Sequence, residues 1–402
     1  MSIIIILLYL LSFLLIWHFV GYPLLMSFIA SKPPRNKKDY DYQPFVTIVV
    51  PTYNEENDIV NRINNLLEQN YPKNKYEIIV VDSNSADQTQ KVVQDYISGY
   101  KLENPSLKLI TQSERKGKAS AINFSKKCAR GEYILVTDAN CIFDQNVIRE
   151  MVPHLKNPKV GGVGGRYCVS NLEGELPRSE SFYWDLENMM RLGESNLDSA
   201  CLYQGEINLW PKNLINADEN ALSEDLDMCI NTKKKGYKIE HDPQAIVYEP
   251  AANTKQDQIT QRKRTTIGTI QNIFKHYKYL FKPKDWYNIL IFPSHKILVV
   301  ISPFLILAIL ILYIISMNAN IILMHLFINI ILFSILFGLL LKQRSKFVKA
   351  KSSSPFSFTS ILKMIYYVLL NEYIILLAWK DYMTSNYSVL WKKSKSNRPK
   401  IS

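Results

Sequence analysis

The chain has 402 residues, 47% of them hydrophobic, with 48 Lys and Arg against 36 Asp and Glu and a net charge of +12. That length holds one or two domains plus membrane segments, and the near-neutral mean hydropathy averages apolar ends with a charged middle. Many cations flank apolar stretches (Arg35, Lys37, Lys38; Lys342, Arg344, Lys346, Lys349, Lys351; Lys392, Lys393, Lys395), the signature of a cytoplasmic membrane face. The basic region contains no nucleic-acid-binding module, so no nucleic-acid partner is expected. Cys128, Cys141, Cys168, Cys201 and Cys229 are odd in number and form no Cys-x-x-Cys pair. They suggest neither a disulfide framework nor a zinc site, and read as reduced core thiols.

In chain order, residues 3 to 30 are almost wholly apolar, broken by His18. About 20 residues suffice to cross a bilayer. The segment lacks the charged start of a signal peptide and exceeds its apolar core in length. Residues 1–30 are therefore expected to form an uncleaved anchor, and the basic residues after it place the chain from residue 31 in the cytoplasm.

Residues 44–264 alternate strand and helix patterns. Strands are expected over 46–53, 77–82, 107–111 and 133–137, with helices over 57–69, 87–97 and 118–128 between them. Such a β-α-β-α-β-α-β order predicts an α/β domain with a parallel doubly wound sheet. After Asp138 the regularity falls. Gly161-Gly162-Val163-Gly164-Gly165 marks a turn or a close backbone approach, and helices are expected over 177–192 and 226–235.

Residues 265–295 mix Tyr277, Tyr279, Phe281, Trp286 and Tyr287 with Lys275, Lys278, Lys282 and Lys284, a composition suited to amphipathic pieces at lipid headgroups. Residues 297–341 form a transmembrane hairpin with a short turn at 317–320. Residues 359–379 make a third membrane segment, spanning or interfacial, interrupted by Lys363, Asn371 and Glu372. Spanning is the favoured reading, although it would carry the basic tail at 380–402 outside, against the positive-inside rule.

Several oxygen-bearing side chains stand where strands should end, the edge at which open α/β sheets bind ligands. Pro51-Thr52-Tyr53-Asn54-Glu55 closes the first strand and can present backbone N–H groups and a short acid to a nucleotide, or cap a helix. Asp82, directly after Val80-Val81, reads as a ligand residue, whereas Asp87 reads as a helix cap. Asp138 and Asn140 flank one residue, so in an extended segment both side chains reach one face. Hard oxygens of this kind suit Mg2+ or Mn2+. Glu224 and Asp225 are either first-turn charges of a helix or, for Asp225, a general base. Gln261-Arg262-Lys263-Arg264 is a solvated basic patch or a diphosphate grip.

The ordered set Pro51-Thr52-Tyr53-Asn54-Glu55, Val81-Asp82, Arg115-Lys116-Gly117-Lys118, Thr137-Asp138-Ala139-Asn140, Glu224-Asp225 and Gln261-x-x-Arg264 resembles the inverting family 2 glycosyltransferases of GT-A fold. More narrowly, it is similar to their membrane-embedded branch, which includes cellulose, chitin, hyaluronan and poly-N-acetylglucosamine synthases. The resemblance covers about residues 44 to 270 and implies a Rossmann-like GT-A catalytic domain in the cytoplasm, flanked by transmembrane helices. It implies a nucleotide-sugar donor, a UDP-sugar by preference, a glycan or lipid-linked acceptor, a lipid bilayer, and Mg2+ or Mn2+.

By the same resemblance Pro51, Tyr53, Glu55, Asp82, Lys118, Asp138 and Arg264 belong to the donor site. Asp138 and Asn140 would hold the metal, Asp225 would be the catalytic base with Glu224 beside it, and Gln261 would lie on the acceptor side. Two departures stand out. Asn140 replaces the second acid of Asp-x-Asp, which weakens the implied metal site. Thr265 replaces the aromatic of Gln-x-x-Arg-Trp, which sets long-chain processivity against the alternative of single-sugar transfer to a polyprenyl phosphate or other lipid. A catalytically inactive membrane scaffold is a third reading, opposed by the intact Asp82, Asp138, Asp225 and Arg264.

Overall fold

The structure is a computed structural model that describes residues 2–33, 38–101, 103–171, 175–251, 254–316, 318–348 and 358–389. Arg35, Lys37, Lys349, Lys351, Lys392, Lys393 and Lys395, together with most of the basic tail, lie outside the described residues. In chain order the helices are α1 (Ser2–Ile16), α2 (Tyr22–Ala30), α3 (Ile59–Leu67), α4 (Thr89–Gly99), α5 (Lys118–Cys128), α6 (Val147–Met151), α7 (Glu175–Leu197), α8 (Glu224–Lys234), α9 (Lys255–Leu280), α10 (Leu298–Ser316), α11 (Ala319–Val348) and α12 (Phe358–Met383). The strands are β1 (Val46–Thr52), β2 (Tyr76–Asp82), β3 (Ser106–Thr111), β4 (Tyr133–Val136), β5 (Ile142–Phe143), β6 (Val160–Val169), β7 (Asn208–Pro211) and β8 (Lys238–Glu249). The chain divides into two compact units. One comprises Pro34–Trp184, Leu202–Gln258 and Tyr387–Ser402; the other comprises Met1–Pro33, Asp185–Cys201 and Ile259–Asn386.

The first unit is built on one eight-stranded sheet in the order β3-β2-β1-β4-β7-β6-β8-β5. Val46, Ile48, Val49, Val50 and Ile78 to Val81 are fully buried, because parallel strands covered on both faces read as continuous aliphatic runs. Register aligns Thr52 with Asp82 and Asp82 with Thr111. The Thr137 N–H donates to the Val49 carbonyl at 3.1 Å, so Asp138 leaves the sheet at the same edge.

The expected parallel arrangement holds for β3-β2-β1-β4. Beyond β4 the sheet is mixed: β7 runs antiparallel to β4 and β6, β6 is parallel to β8, and β5 is antiparallel to β8. Helix patterning fades after Asp138 for this reason, since antiparallel neighbours do not need a crossover helix.

The glycine-rich run is not a turn. It forms half of β6, and its glycines allow the close approach that was the other expectation. A Cβ on Gly162 would lie 1.7 Å from the Tyr203 hydroxyl, and one on Gly161 would lie 2.6 Å from the Tyr237 Cβ. Cys141, Cys201 and Cys229 are buried thiols, whereas Cys128 is exposed.

The second unit is helical. Among the described residues, three of its helical runs are long and apolar enough to cross a membrane: Ile3–Ala30, Tyr287–Ser316 and Asn320–Val348. The first joins α1 and α2 through a π-helical turn, Trp17–Gly21. The second begins ten residues before the expected 297, because two π-helical turns, Tyr287–Ile291 and Pro293–Ile297, continue into α10. Ser294 and His295 look like a boundary in sequence, yet they are buried and partnered. His295 Nδ1 is 2.6 Å from Glu194 Oε1 and its Nε2 is 3.1 Å from Glu187 Oε2. Trp17 Nε1 donates to Ser294 Oγ at 3.0 Å, and the Tyr22 hydroxyl donates to Glu194 Oε1 at 2.6 Å. Polar groups at membrane depth require such partners. The expected interfacial segment accordingly divides into the end of α9, the connection 281–286 and the start of this run, with Phe274, Tyr277, Phe281 and Trp286 exposed.

Gly162→Ala is expected to destabilise the protein by about 1–3 kcal/mol, the usual size of overpacking. Tyr203→Phe should be neutral or stabilising, since it deletes a buried hydroxyl with no hydrogen-bond partner. Thermal unfolding of the purified variants measures both.

Candidate active site

The loops after β1 and β2 brace each other. Asn54 and Asn84 adopt left-handed backbone angles, φ 57° and 58°, a conformation asparagine tolerates better than most residues. The Asn54 N–H donates to Ser85 Oγ at 2.9 Å, and its side-chain oxygen accepts the Ala86 N–H at 2.8 Å. The Glu55 N–H donates to Thr89 Oγ1 at 2.7 Å. Asp87 accepts the Thr89 N–H at 2.9 Å, one residue ahead of Gln88, the N-cap of α4. Asp82 is fully buried. Its Oδ2 accepts from the Ser85 N–H at 2.9 Å and Gln90 Nε2 at 2.7 Å, and its Oδ1 accepts from the Ser85 hydroxyl. Pro51 pairs with Val81 in the sheet. The Glu55 side chain is buried, and the Arg115 guanidinium lies 3.8 Å over the Tyr53 ring.

Gly117, at φ 86°, turns the chain into α5 and places Lys118 on its first turn. Lys118 Nζ lies 2.5 Å from Asp138 Oδ1 and donates to the Gly205 carbonyl at 3.0 Å. The Asp138 turn is held from below by Thr137, whose hydroxyl donates to the Glu206 carbonyl at 2.8 Å and receives a hydrogen bond from the buried Arg62. Asn140 does not point to the same partner as Asp138: its Nδ2 donates to Glu249 Oε1 at 2.7 Å.

Asp225 sits in the first turn of α8. One oxygen, Oδ1, is fixed by the Ser223 hydroxyl at 2.7 Å and the Leu226 N–H at 2.8 Å. The other, Oδ2, faces Gly205: a Cβ built there would lie 4.0 Å from it and 3.4 Å from Lys118 Nζ. The missing side chain keeps open the space between the carboxylate and the ammonium. Glu224 opens the same helix, and its charge acts on Lys118.

Carboxylates outnumber cations at this edge. Burial alone would lower the Lys118 pKa, but the charges of Asp138, Glu224 and Glu206 outweigh it and raise the pKa above its ordinary value. Glu206 is pushed up to about 7, first by burial and then by the Asp138 charge. Its Oε2 is enclosed without a hydrogen-bond partner. Burial also raises Glu249 well above the usual carboxylate range, aided by Glu206 and Asp138.

Gln261 and Arg264 lie on α9 in the helical unit. Gln261 is exposed, and Arg264 has its Nε enclosed without a partner. Thr265 turns its hydroxyl onto its own helix, donating to the Gln261 carbonyl at 3.1 Å.

Sequence reasoning passed over Ser85, Gln90, Gly205, Glu206 and Glu249. Gly205-Glu206 precedes only a four-residue strand, and Glu249 ends a strand whose neighbour β6 shows in sequence as a glycine run open to either a turn or a close backbone approach. A small residue beside an acid just ahead of an apolar run was the available signal.

The chain matches the Glycosyl transferase family 2 model over residues 47–206 and the Glycosyl transferase family group 2 model over residues 133–341, just over half of its length. It belongs to this glycosyltransferase family. Among curated relatives, it is 25% identical over 246 residues to poly-beta-1,6-N-acetyl-D-glucosamine synthase of Staphylococcus aureus (strain MSSA476), covering 60% of this chain and 58% of the relative. It is 27% identical over 265 residues to the probable glycosyltransferase YdaM of Bacillus subtilis (strain 168), covering 62% and 61%. The chain thus spans about three-fifths of the length of these relatives. Among solved structures, the mannosyltransferase PcManGT from Pyrobaculum calidifontis, in complex with GDP-Man and Mn2+, matches with a TM-score of 0.68 and 22% identity, covering 95% of this chain and 100% of that one. That likeness establishes the GT-A-type fold.

Glu206 supplies a stability prediction. Its raised folded pKa means that its contribution is fully present below the unfolded value near 4.5 and is lost as pH rises through about 7. Without divalent metal, Glu206→Gln should therefore stabilise the protein by about 1–2 kcal/mol at pH 8 and by little at pH 5, measured by thermal unfolding at the two pH values.

Proposed function

We propose that the protein is a membrane glycosyltransferase that transfers a sugar from a nucleotide-diphosphate sugar to a glycan or lipid-linked acceptor by metal-assisted inverting displacement, in the synthesis of a surface or extracellular polysaccharide. The observation that carries this reading is Asp225 Oδ2 facing Lys118 across Gly205, with Lys118 paired to Asp138. A carboxylate and an ammonium at one edge of the sheet support the reading of a base beside a cationic diphosphate site. The basic residues that flank the apolar stretches support a cytoplasmic catalytic unit. The donor implied by the family resemblance is a UDP-sugar. The GDP-Man complex of the structural neighbour makes a guanine nucleotide the next donor to test.

In this mechanism Asp225, held by Ser223 and the Leu226 N–H, takes the proton of the acceptor hydroxyl through its other oxygen. The acceptor's oxygen forms its bond to the anomeric carbon as the bond to the diphosphate breaks on the opposite face, and nucleoside diphosphate leaves. Lys118 and, by resemblance, Arg264 neutralise the charge that develops on it. Asp82 and the braced loops around it shape the nucleoside end of the site. A single displacement turns an α-linked donor into a β-linked product.

The residues fit a divalent cation in their chemistry. Asp138, Asn140, Glu206 and Glu249 offer hard oxygens, and Glu206 Oε2 lacks a partner. Among the described residues no three or more His, Cys, Asp or Glu side chains converge on a metal position, but Mg2+ needs only one or two carboxylates when substrate phosphates complete its shell. Asp138 and Asn140 are the proposed protein ligands; when bound, Mg2+ or Mn2+ would neutralise the leaving diphosphate. Thr265, with its hydroxyl on its own helix, supports single-sugar transfer to a polyprenyl phosphate or other lipid as the second reading.

Membranes containing the protein should release nucleoside diphosphate from one member of a nucleotide-sugar panel in Mg2+ or Mn2+, and lose that activity in EDTA. Asp225→Asn should lower kcat at least about a hundredfold while nucleotide binding persists. Release from no donor, or full activity in Asp225→Asn, would overturn the assignment.

A further inference from the structure

Glu249 lies outside the motifs on which the family resemblance rests, yet the fold delivers it to the Asp138 turn. It is the last residue of β8, which pairs with β6 on one side and β5 on the other. The antiparallel register sets Ile142 against Tyr248 and Phe143 against Val247. The Asp144 N–H donates to the Ile246 carbonyl at 2.9 Å, and the Ser170 N–H donates to the Glu249 carbonyl at 3.0 Å. Backbone bonds on both flanks thus carry residues 138–141 to the end of β8 and hold Glu249 beside them. The Glu249 carboxyl is buried, and its Oε1 accepts from Asn140 Nδ2 at 2.7 Å.

That hydrogen bond decides how Asn140 is presented. A planar amide carries its nitrogen and its oxygen on opposite edges, so with Nδ2 on Glu249 the Oδ1 is turned away from it. Among the described residues no hydrogen bond occupies that oxygen. A carboxyl oxygen accepts the amide hydrogen in either protonation state, so the arrangement does not depend on the charge of Glu249. Without an acceptor at position 249 nothing would fix which end of the amide faces outward, and the nitrogen end cannot bind a cation.

The same contact accounts for the departure from Asp-x-Asp. An aspartate at position 140 would set a second carboxyl against Glu249, in a site where the charges of Asp138, Glu206 and Glu249 already act on one another. Two carboxyls sharing one site do not both ionise readily. Asparagine keeps a hard oxygen at the position and removes the charge.

We propose that Glu249 is a positioning residue for the divalent cation: by holding Asn140 Nδ2 it fixes Asn140 Oδ1 as a neutral oxygen ligand, and β8 carries, behind that ligand, the acid that Asp-x-Asp lacks here. The role rests on the reading of Asp138 and Asn140 as the metal's protein ligands.

Its test is Mn2+ titrated into the purified full chain, with the free ion read by EPR, in variants that keep the parent's thermal unfolding temperature. Glu249→Ala removes the acceptor and should raise the Mn2+ Kd at least about tenfold, the scale of losing a partner behind a metal ligand. Glu249→Gln retains an acceptor oxygen and should stay close to the parent. Unchanged affinity in Glu249→Ala, or a loss in Glu249→Gln as large as in Glu249→Ala, would overturn the role. A second arm does not need the alanine variant to fold. In EDTA at pH 8, Asn140→Asp should lower the unfolding temperature, and adding Glu249→Gln should restore it; two effects that merely add would refute the coupling. A parent that binds no Mn2+ would overturn the metal site and this role with it. The predicted Mn2+ pattern without release of nucleoside diphosphate from any donor would uphold the role of Glu249 and count against the glycosyltransferase assignment.

Discussion

The ion pair between Lys118 and Asp138 is the interaction on which the proposed chemistry depends. One ammonium answers for a group of carboxylates, with Asp138 in direct contact and Glu206 and Glu224 close enough to act on its charge. Such an imbalance is unfavourable in an empty site, because each partly buried carboxylate adds repulsion and loses hydration. The folded protein accommodates it by raising the pKa of Glu206 and Glu249. A bound cation and diphosphate would complete the same set of charges, so local instability and affinity for the donor share one origin.

Placement of the pair follows from backbone physics well away from it. Aliphatic runs in β1, β2 and β4 bury both faces and bring three strand ends into line. Arg62 reaches Thr137 beneath the turn, and Thr137 in turn holds the Glu206 backbone. Gly205 then leaves the gap between Lys118 and Asp225 without a side chain. None of these supporting residues enters the proposed reaction, but each fixes a group that does.

Much of this was legible in the sequence where the signal was local. The aliphatic runs ending at Asp82 and Thr137 marked the parallel half of the sheet, and the ordered motifs identified the family. Long-range pairing was not legible. β6 is glycine-rich because Tyr203 and Tyr237 crowd it, and neither is near it in sequence. Glu249 meets Asn140 only after β8 is laid beside β6. Ser294 and His295 interrupt an apolar pattern, and their partners on α7 and in the first membrane run had to be seen before that break could be read as interior. Asp82 was correctly placed at a strand end, while its bonds to Ser85 and Gln90 show how much of the carboxylate is used to hold its own loop.

The proposed reaction is a single displacement in which Asp225 activates the acceptor opposite the departing diphosphate. Its most direct test is the anomeric configuration of the product, read from proton coupling constants by NMR after turnover of an α-linked nucleotide sugar. A β-linked product is predicted. An α-linked product, with configuration retained, would contradict the mechanism.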